Sequence, residues 1–170
     1  MVYCNDKPII YAASLKNLAH INALISKSAR ILQAQYYKKS EIETALELVS
    51  GIEKLIAASS FYVVEYEKKI IACGGWAMDV SEPQHAEIRG FFVHPDFARR
   101  GIATRLFIVC ENECIRRGVA ALYLTATLSG EPFYKKCGFS ERARIQQDLS
   151  NGETFELVKM EKQLFESLPK

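Results

Sequence analysis

Hydrophobic residues recur along the chain with two alternating periods, one typical of strands and the other of helices. Runs of β-branched and aromatic residues predict strands at residues 9–12, 61–66, 70–79, 85–93, 121–126, 139–148 and 154–161. Turns at 67–69 and 150–152 predict that the strands on either side of each turn form hairpins. The pair Gly74-Gly75 inside the third strand indicates a bulge or a close backbone approach.

Apolar residues spaced by three and four positions predict helices between these strands. The first helix is expected to begin at a cap formed by Ser14 or Asn17. Ser40 and Glu43 fit a capping box that opens the second helix. The predicted helices cover residues 17–34, 40–48, 102–117 and 133–137, and a further short helical segment is expected around residues 52–58. The resulting order, β-α-α-β-β-β-α-β-α-β-β, predicts an α/β fold in one domain over residues 1–170, with a mixed sheet of about six or seven strands flanked by helices.

Composition narrows the class of protein. With 49% hydrophobic and 25% charged residues, the 170-residue chain is typical of a globular protein. A net charge of +2, without a basic face, argues against nucleic acid as a partner. No run approaches the roughly 18 apolar residues of a membrane span, and the N-terminus does not resemble a signal peptide. We therefore expect a cytoplasmic location, with the five cysteines as reduced core thiols.

The stretch from Glu87 to Leu106 combines a strand, a basic turn rich in small residues, and the start of a helix. The first amides of a helix have no internal partners and attract anions. Gly101 and Ala103 allow a ligand close to the backbone, and Arg99 and Arg100 add charge that suits phosphate. This stretch predicts a phosphate-binding site.

This turn resembles motif A of the GNAT superfamily, the acyl-CoA-dependent N-acyltransferases, in which a Q/R-x-x-G-x-G/A loop holds the pyrophosphate of coenzyme A. Aligned on Gly101, the chain has Ala103 at the G/A position but Ala98 where the family usually has Gln or Arg. Downstream, PFYKKCGF at residues 132–139 resembles the end of the family's motif B, PFYxKxGF. The element order is also similar to that of the family, so the resemblance covers nearly the whole chain.

The resemblance implies an acetyltransferase that moves an acetyl group from acetyl-CoA to a primary amine of an unidentified acceptor, by direct attack in a ternary complex. The acceptor, a small molecule or a protein, is the second implied partner, and a homodimer is a family-level expectation. No metal is expected, because Cys110 and Cys114 at i, i+4 lack further ligands at suitable spacing. A P-loop or dinucleotide fingerprint is also missing.

Coenzyme binding is expected along the end of the fourth strand and the turn after it. By the resemblance, the strand's main chain pairs with the pantetheine arm, and an amide of Phe92 or Val93 polarises the thioester carbonyl. Ser129 stands about where some relatives have an asparagine that contacts pantetheine, although a plain turn role is the alternative. The full set of expected coenzyme-binding residues is Phe91, Phe92, Val93, Arg99, Arg100, Gly101, Ile102, Ala103, Thr104 and Ser129.

Tyr134 is the candidate general acid. In motif B of the family, the tyrosine often lies beside the thioester sulfur. A phenol with a pKa of about 10 is protonated at neutral pH and can donate a proton to a departing thiolate with a pKa near 8.5. The alternative is a packed helix tyrosine without a chemical role.

Glu87 is the candidate general base. A lysine-like amine has a pKa near 10.4, so presenting it neutral at pH 7 costs roughly 4.6 kcal/mol, and a positioned base reduces that cost. Ala86-Glu87-Ile88 is similar to the strand opening that carries the catalytic glutamate in the histone-acetylating branch of the family. Strand alternation places Glu87 on the face of Phe91 and Val93 unless Gly90 forms a bulge. The alternatives are an ion pair with Arg89 and a water chain as the proton acceptor.

The acceptor is expected where the N-terminal helices, the strand around Trp76 and the final hairpin meet, with Tyr36, Tyr37 and Glu41 as lining candidates. Two other classes of protein remain open. A non-catalytic acyl-CoA-binding or sensor domain would keep the coenzyme site without an acid or base. A structural or protein-interaction domain would bind no coenzyme.

Overall fold

A computed structural model describes residues 7–165 of the chain. Seven strands form one mixed sheet in the order β1-β2-β3-β4-β5-β7-β6. Their bounds are close to those expected from the sequence: β1 Ile9–Ala12, β2 Phe61–Tyr66, β3 Lys69–Met78, β4 His85–Val93, β5 Ala121–Thr127, β6 Ser140–Asp148 and β7 Thr154–Gln163. All neighbouring strands are antiparallel except β4 and β5, which are parallel.

Five α-helices flank this sheet: α1 Leu18–Leu32, α2 Lys39–Ala45, α3 Ile52–Ala57, α4 Ile102–Arg116 and α5 Glu131–Lys136. Short 3-10 turns precede α1, follow α2 and follow β4. The α/β class and the strand number agree with the pattern of apolar residues. The expected element order lacks one helix, because the short segment expected around residues 52–58 forms α3 before β2. Within residues 7–165, no helix is long and apolar enough to cross a membrane.

The capping box predicted at Ser40 and Glu43 is wrong. Helix α2 begins one residue earlier, and the side chain of Glu41 accepts a hydrogen bond from the amide of Lys38, 2.8 Å away. The Ser40 hydroxyl instead donates to Glu153, and Glu43 pairs with Arg30. Both side chains bond to residues outside the helix, Ser40 through a hydrogen bond and Glu43 through an ion pair. A capping rule based on neighbouring residues does not include such partners.

The helices divide between the two faces of the sheet. α1 and α3 cover the face that carries Phe61, Val63 and Cys73. α4 covers the opposite face, where Ile102 and Leu106 pack on residues of β2 and β3. α5 lies on the same side as α4, since its Tyr134 belongs to the cluster that also contains Phe107 and Cys110.

Strands β4 and β5 pair only at their beginnings. Their register covers His85 with Ala121, Ala86 with Leu122, and Glu87 with Tyr123. Beyond these three pairs the strands part, so the second half of β4 has a partner only on the β3 side. The parting opens a fork in the middle of the sheet and leaves the β5-side backbone groups of β4 free for a ligand.

A β-bulge interrupts β4 beside the fork. Phe92 pairs with Cys73 and Arg89 pairs with Gly75, so Gly90 and Phe91 together face the single residue between those two on β3. Gly90 has a φ of 68°, in the region that favours glycine. The bulge reverses the alternation expected for an uninterrupted strand.

The bulge sorts the side chains of β4 onto different faces. Phe91 and Val93 pack on the α4 side, while Phe92 packs on the α1 side. Arg89 lies on that same α1 side, where it contacts the residue preceding the N-cap of α3. Glu87 therefore does not share a face with Phe91 and Val93, which is the outcome that a bulge at Gly90 was expected to produce.

Candidate active site

A cavity of about 950 Å³ runs through the fork between β4 and β5. Its wall includes β4 from Glu87 to Val93, the start of α4, the end of β5, and α5. The C-terminal half of α1 and the stretch from α2 to α3 close it from the other face. The cavity thus connects the predicted phosphate site, the predicted acid and the predicted base.

The turn before α4 has the geometry of an anion site. Arg99 and Gly101 both have positive φ angles, 61° and 78°, and Gly101 is the N-cap of α4. The amides of Ile102, Ala103 and Thr104 stand in the first helical turn, where no intrahelical carbonyl reaches them. Nothing lies within 4 Å of where a side chain on Gly101 would begin, so a ligand has open access to the backbone there.

The two arginines of this turn differ in position. Arg99 lines the cavity together with Gly101, Ile102, Ala103 and Thr104. Arg100 is exposed and does not line the cavity; its guanidinium lies 5.4 Å from the centre of the Phe97 ring. Of the two, Arg99 is therefore the better placed to contact an anion at the amides.

The second half of β4 lines the cavity beside the fork. Phe91, Phe92 and Val93 all contribute to the wall, and their side chains pack against four apolar clusters. Ser129, also on the wall, shares a 3.0 Å hydrogen bond with the hydroxyl of Thr127. The β4 main chain, rather than its side chains, supplies the free polar groups.

Tyr134 projects from α5 into an aromatic setting on the α4 side of the cavity. Its ring lies 6.5 Å from that of Phe91, 5.0 Å from Phe133 and 5.7 Å from Phe139. Burial, with smaller contributions from Cys137 and Cys110, raises the pKa of the phenol above its ordinary value. Its hydroxyl makes no hydrogen bond to any of residues 7–165, so it is available to a group that enters the cavity.

Glu87 reaches the cavity from the opposite face and is half-buried. Burial raises the pKa of its carboxyl group, the Arg89 cation lowers it, and Asp79 raises it again. The Glu87 Oε2 and Arg89 Nε atoms lie 3.6 Å apart, which is too far for a hydrogen bond. The predicted ion pair is thus present, but it is loose and does not outweigh the effect of burial.

Tyr123 and Asp79 complete the polar cluster at the base of the fork. Tyr123 is paired in register with Glu87, and its hydroxyl donates to Asp79 over 2.8 Å. Hydrogen bonds from Ser81 and Tyr123, and from the amides of Ser81 and Glu82, hold the pKa of Asp79 far below its usual range. Asp79 is therefore a fixed negative charge near the candidate base.

Of the lining residues predicted for the acceptor, only Tyr36 lies on the cavity wall. The Tyr37 hydroxyl donates to the carbonyl of Glu156 and accepts from the amide of Leu128, and burial raises its pKa to about 12. Glu41 caps α2. Trp76 packs in the core under Arg117. The last three thus have structural roles in the regions that surround the acceptor site.

Several polar residues on the wall were not predicted to line it, and Arg89, Ser28 and Gln33 are among them. Arg89 was expected only as a partner of Glu87, yet it contributes its own charge to the cavity. Ser28 and Gln33, on or just beyond α1, are 4% and 8% exposed, and their side chains hydrogen-bond none of residues 7–165. A serine on the otherwise apolar face of α1 was the one signal that periodicity offered.

The cysteines within the described residues have free thiols. Cys73, Cys110 and Cys114 are buried, and Cys137 is partly buried. Burial raises the pKa of Cys137 to about 11, so its thiol stays protonated at neutral pH. Cys4 falls outside the described residues. Nowhere in residues 7–165 do three or more His, Cys, Asp or Glu side chains group closely enough to hold a metal ion.

The described fold is an α/β sheet that forks between β4 and β5, with an N-terminal helix end at the open end of the fork. Sequence comparison gives the family. The profile of the acetyltransferase (GNAT) family matches residues 27–139. The chain therefore belongs to the GNAT acetyltransferase family.

Individual relatives are similar over part or all of the chain. An uncharacterised N-acetyltransferase of Methanocaldococcus jannaschii is 34% identical over 93 residues, which are 51% of this chain and 41% of that protein. The match thus spans less than half the length of that curated relative.

Solved structures share the fold at low sequence identity. The PaiA N-acetyltransferase of Thermoplasma acidophilum, in complex with coenzyme A, has a TM-score of 0.74 at 18% identity and covers 92% of this chain and 99% of its own. N-acetylglutamate synthase of Neisseria gonorrhoeae, complexed with coenzyme A and N-acetyl-glutamate, has a TM-score of 0.64 at 20% identity, over 94% of this chain and 36% of its own. These structures support the forked-sheet architecture.

Proposed function

We propose that the protein is an acetyl-CoA-dependent N-acetyltransferase that acetylates a primary amine by direct attack in a ternary complex. The observation that carries the proposal is the continuity of the cavity, which joins the phosphate-binding turn, the free edge of β4 and the unpaired Tyr134 hydroxyl. Binding of coenzyme A in two similar structures supports the same ligand here.

Coenzyme A would lie along β4 with its pyrophosphate at the amides of residues 102–104 and beside Arg99. Its pantetheine arm would take the place of the missing strand partner at Phe91–Val93, as an added strand does. An amide of Phe92 or Val93 would donate to the thioester carbonyl, where negative charge develops in the transition state. Ser129 would stand beside the arm on the opposite wall.

The transfer itself needs two proton movements. The amine nitrogen attacks the thioester carbonyl carbon, forming the C–N bond, and the C–S bond then breaks. Glu87, directly or through a water chain, accepts the proton that leaves the amine, and Tyr134 donates its proton to the departing sulfur. The products are the acetylated amine and coenzyme A with a free thiol, and proton exchange with solvent restores both side chains.

Burial of Tyr134 affects the pKa of both the proton donor and the proton acceptor in this step. Its raised pKa keeps the phenol protonated at every working pH. The same apolar surroundings disfavour a charged thiolate, so the pKa of the departing thiol is raised together with that of the phenol. The unmade hydrogen bond of the hydroxyl would be formed to the sulfur in the complex.

Mass-spectrometric detection of acetylated product from acetyl-CoA and a panel of primary amines tests the proposal. The same samples should show a thermal shift on addition of coenzyme A alone. Coenzyme binding without product from any amine would favour a non-catalytic acyl-CoA sensor. No thermal shift and no product would overturn both readings and leave a structural role.

A further inference from the structure

The acceptor end of the cavity carries one cation and one anion side by side. In the proposed complex coenzyme A would occupy the α4 end of β4, so the amine would approach from the end of the cavity that Glu87 and Arg89 line. Strand alternation puts both side chains on the α1 face, and their Oε2 and Nε atoms lie 3.6 Å apart.

The Arg89 guanidinium has spare hydrogen-bonding capacity. One of its N–H groups donates to the carbonyl of Ser50 over 3.0 Å, and its separation from Glu87 exceeds hydrogen-bonding distance. Among residues 7–165 it makes no other hydrogen bond. A guanidinium offers five N–H donors and matches a carboxylate in a two-pronged geometry. The remaining donors on the cavity wall are therefore suited to an anionic group of the acceptor.

The spacing of the two charges fits an acceptor whose amine and carboxylate are neighbours. In an α-amino acid the nitrogen and the carboxyl carbon are about 2.5 Å apart, as the N–Cα and Cα–C bond lengths require. An ammonium beside Glu87 would then place its carboxylate beside Arg89. A diamine would instead bring a second cation towards Arg89, and a lysine side chain carries no carboxylate near its amine.

The wall next to Arg89 is apolar. Ser50, which anchors the guanidinium, belongs to the stretch between α2 and α3 that lines the cavity. The lining side chains of this stretch and of the start of α3 are Leu46, Leu48, Val49, Ile52 and Leu55. A substituent on the acceptor's α-carbon would contact these aliphatic groups, and a charged one would lose hydration there without a partner.

We propose that the acceptor is a free α-amino acid with an apolar side chain, bound through its carboxylate by Arg89 with its amine at Glu87. This inference rests on the proposed acetyltransferase activity and specifies its acceptor. Arg89 is then the residue that determines specificity.

The test compares leucine, methionine and phenylalanine, each with its own amide and its decarboxylated amine, as acceptors for acetyl-CoA. Product is quantified by mass spectrometry, and rates are expressed per neutral amine because the three forms differ in pKa. The wild-type protein should prefer each acid over its amide by about tenfold or more in kcat/KM, the effect of a charge-assisted hydrogen bond. Arg89→Gln should abolish that preference, mainly through KM, and Arg89→Lys should restore part of it.

Two controls separate specificity from activity and from folding. Arg116→Gln removes an exposed arginine paired with Glu113 and should leave the preference unchanged. The thermal shift of Arg89→Gln with coenzyme A should equal that of the wild type, which shows an intact donor site. Equal rates for acid and amide, or an unaltered preference in Arg89→Gln, would overturn the inference while acetyl transfer stands.

A binding measurement covers the case in which no acceptor of the panel is acetylated. Calorimetric titration of the three amino acids into the protein saturated with coenzyme A should give binding that Arg89→Gln weakens. Binding of this kind without product would support the site and count against the acetyltransferase. Neither binding nor product from the panel would overturn the inference, whatever other amines react.

Discussion

At Glu87, burial and a neighbouring cation act on the same carboxyl group in opposite directions. Burial is the larger effect, and the pKa of Glu87 is raised above its ordinary value of 4.5 despite Arg89. The ionised carboxylate is the form that accepts a proton. Because the acceptor amine also titrates, kcat/KM is expressed per neutral amine. In that form it should be full above the raised pKa of Glu87 and fall as the pH drops through it.

Replacing Glu87 with glutamine tests this role directly. Glu87→Gln should remove the acidic limb of the pH profile of kcat/KM and lower its plateau by about 10²-fold or more. Glu43→Gln, which breaks an exposed ion pair with Arg30, is the matched control and should keep both limb and plateau. If the acidic limb persists in Glu87→Gln, another group or a water chain is the base.

Asp79 acts on Glu87 through its charge alone. Its carboxylate contributes to the raised pKa of Glu87. An asparagine side chain keeps an oxygen for the Ser81 and Glu82 donors, and its amide nitrogen can donate to the Tyr123 hydroxyl oxygen. In Asp79→Asn the pKa of Glu87 should fall, so the acidic limb of kcat/KM should move to lower pH with little change in plateau. A limb that stays in place or moves to higher pH would contradict this electrostatic coupling.

At the scale of elements, the bulge in β4 fixes which side chains reach the cavity from each face. At Gly90 a Cβ would stand 2.8 Å from the ring of Phe61, and that ring is fully buried and cannot move aside. Gly152 in the final hairpin also has a positive φ but has nothing within 4 Å. The two glycines therefore form a matched pair, in which the overlap is present only at Gly90.

Gly90→Ala should reduce the free energy of unfolding by about 1–3 kcal/mol more than Gly152→Ala does, because overpacking adds to the shared backbone strain. It should also lower kcat, because relief of the overlap shifts Phe91 and Arg89. Chemical denaturation of both variants measures the difference. Equal losses of stability would mean that the bulge tolerates a side chain.

The turn before α4 supports a prediction about coenzyme affinity. Reversing the charge in Arg99→Glu should weaken binding of coenzyme A by about tenfold or more, since Arg99 lines the cavity beside the free amides. Arg100→Glu should have a smaller effect, because Arg100 lies against the Phe97 ring and does not line the cavity. Arg116→Glu at the far end of α4 controls for net charge. Unchanged affinity in Arg99→Glu would show that the amides suffice alone.

Most elements could be predicted because their signals are local. The hairpin turn at Glu67 and Lys68, both with positive φ, and the helix that begins after Gly101 follow from sequence neighbours. The capping box at Ser40 could not be predicted in the same way. The Ser40 hydroxyl donates instead to Glu153, in the turn between β6 and β7. A rule based on neighbouring residues does not include hydrogen-bond partners that the fold brings close from distant parts of the chain.

The donor half of the site was more predictable than the acceptor half. Gly101 and Tyr134 lie in short motifs, so a linear pattern locates them. Tyr37, in contrast, lies off the cavity wall because its hydroxyl is hydrogen-bonded to the Glu156 carbonyl and the Leu128 amide, which are distant in sequence. Arg89 lines the cavity beside the Gly90 bulge, and its guanidinium is bonded to Ser50 just before α3. Both features depend on long-range packing.

At the scale of the whole molecule, the fork makes the proposed chemistry possible. Glu87 lies on the α1 face and Tyr134 on the α4 face, and an unbroken sheet would keep them apart. Because β4 and β5 pair over only three positions, one cavity is lined by both side chains. A thioester held along the free edge of β4 would lie between them.

The most direct test of this account is the turnover number of Tyr134→Phe compared with its affinity for coenzyme A. Phenylalanine keeps the ring packed against Phe91 and Phe139 and removes only the proton donor. We predict a fall in kcat of about 10²-fold or more, with an almost unchanged dissociation constant for coenzyme A. Tyr11→Phe, outside the cavity and bonded to Glu65, controls for the loss of a phenol. An unchanged kcat in Tyr134→Phe would contradict the proposed acid and the central role of the fork.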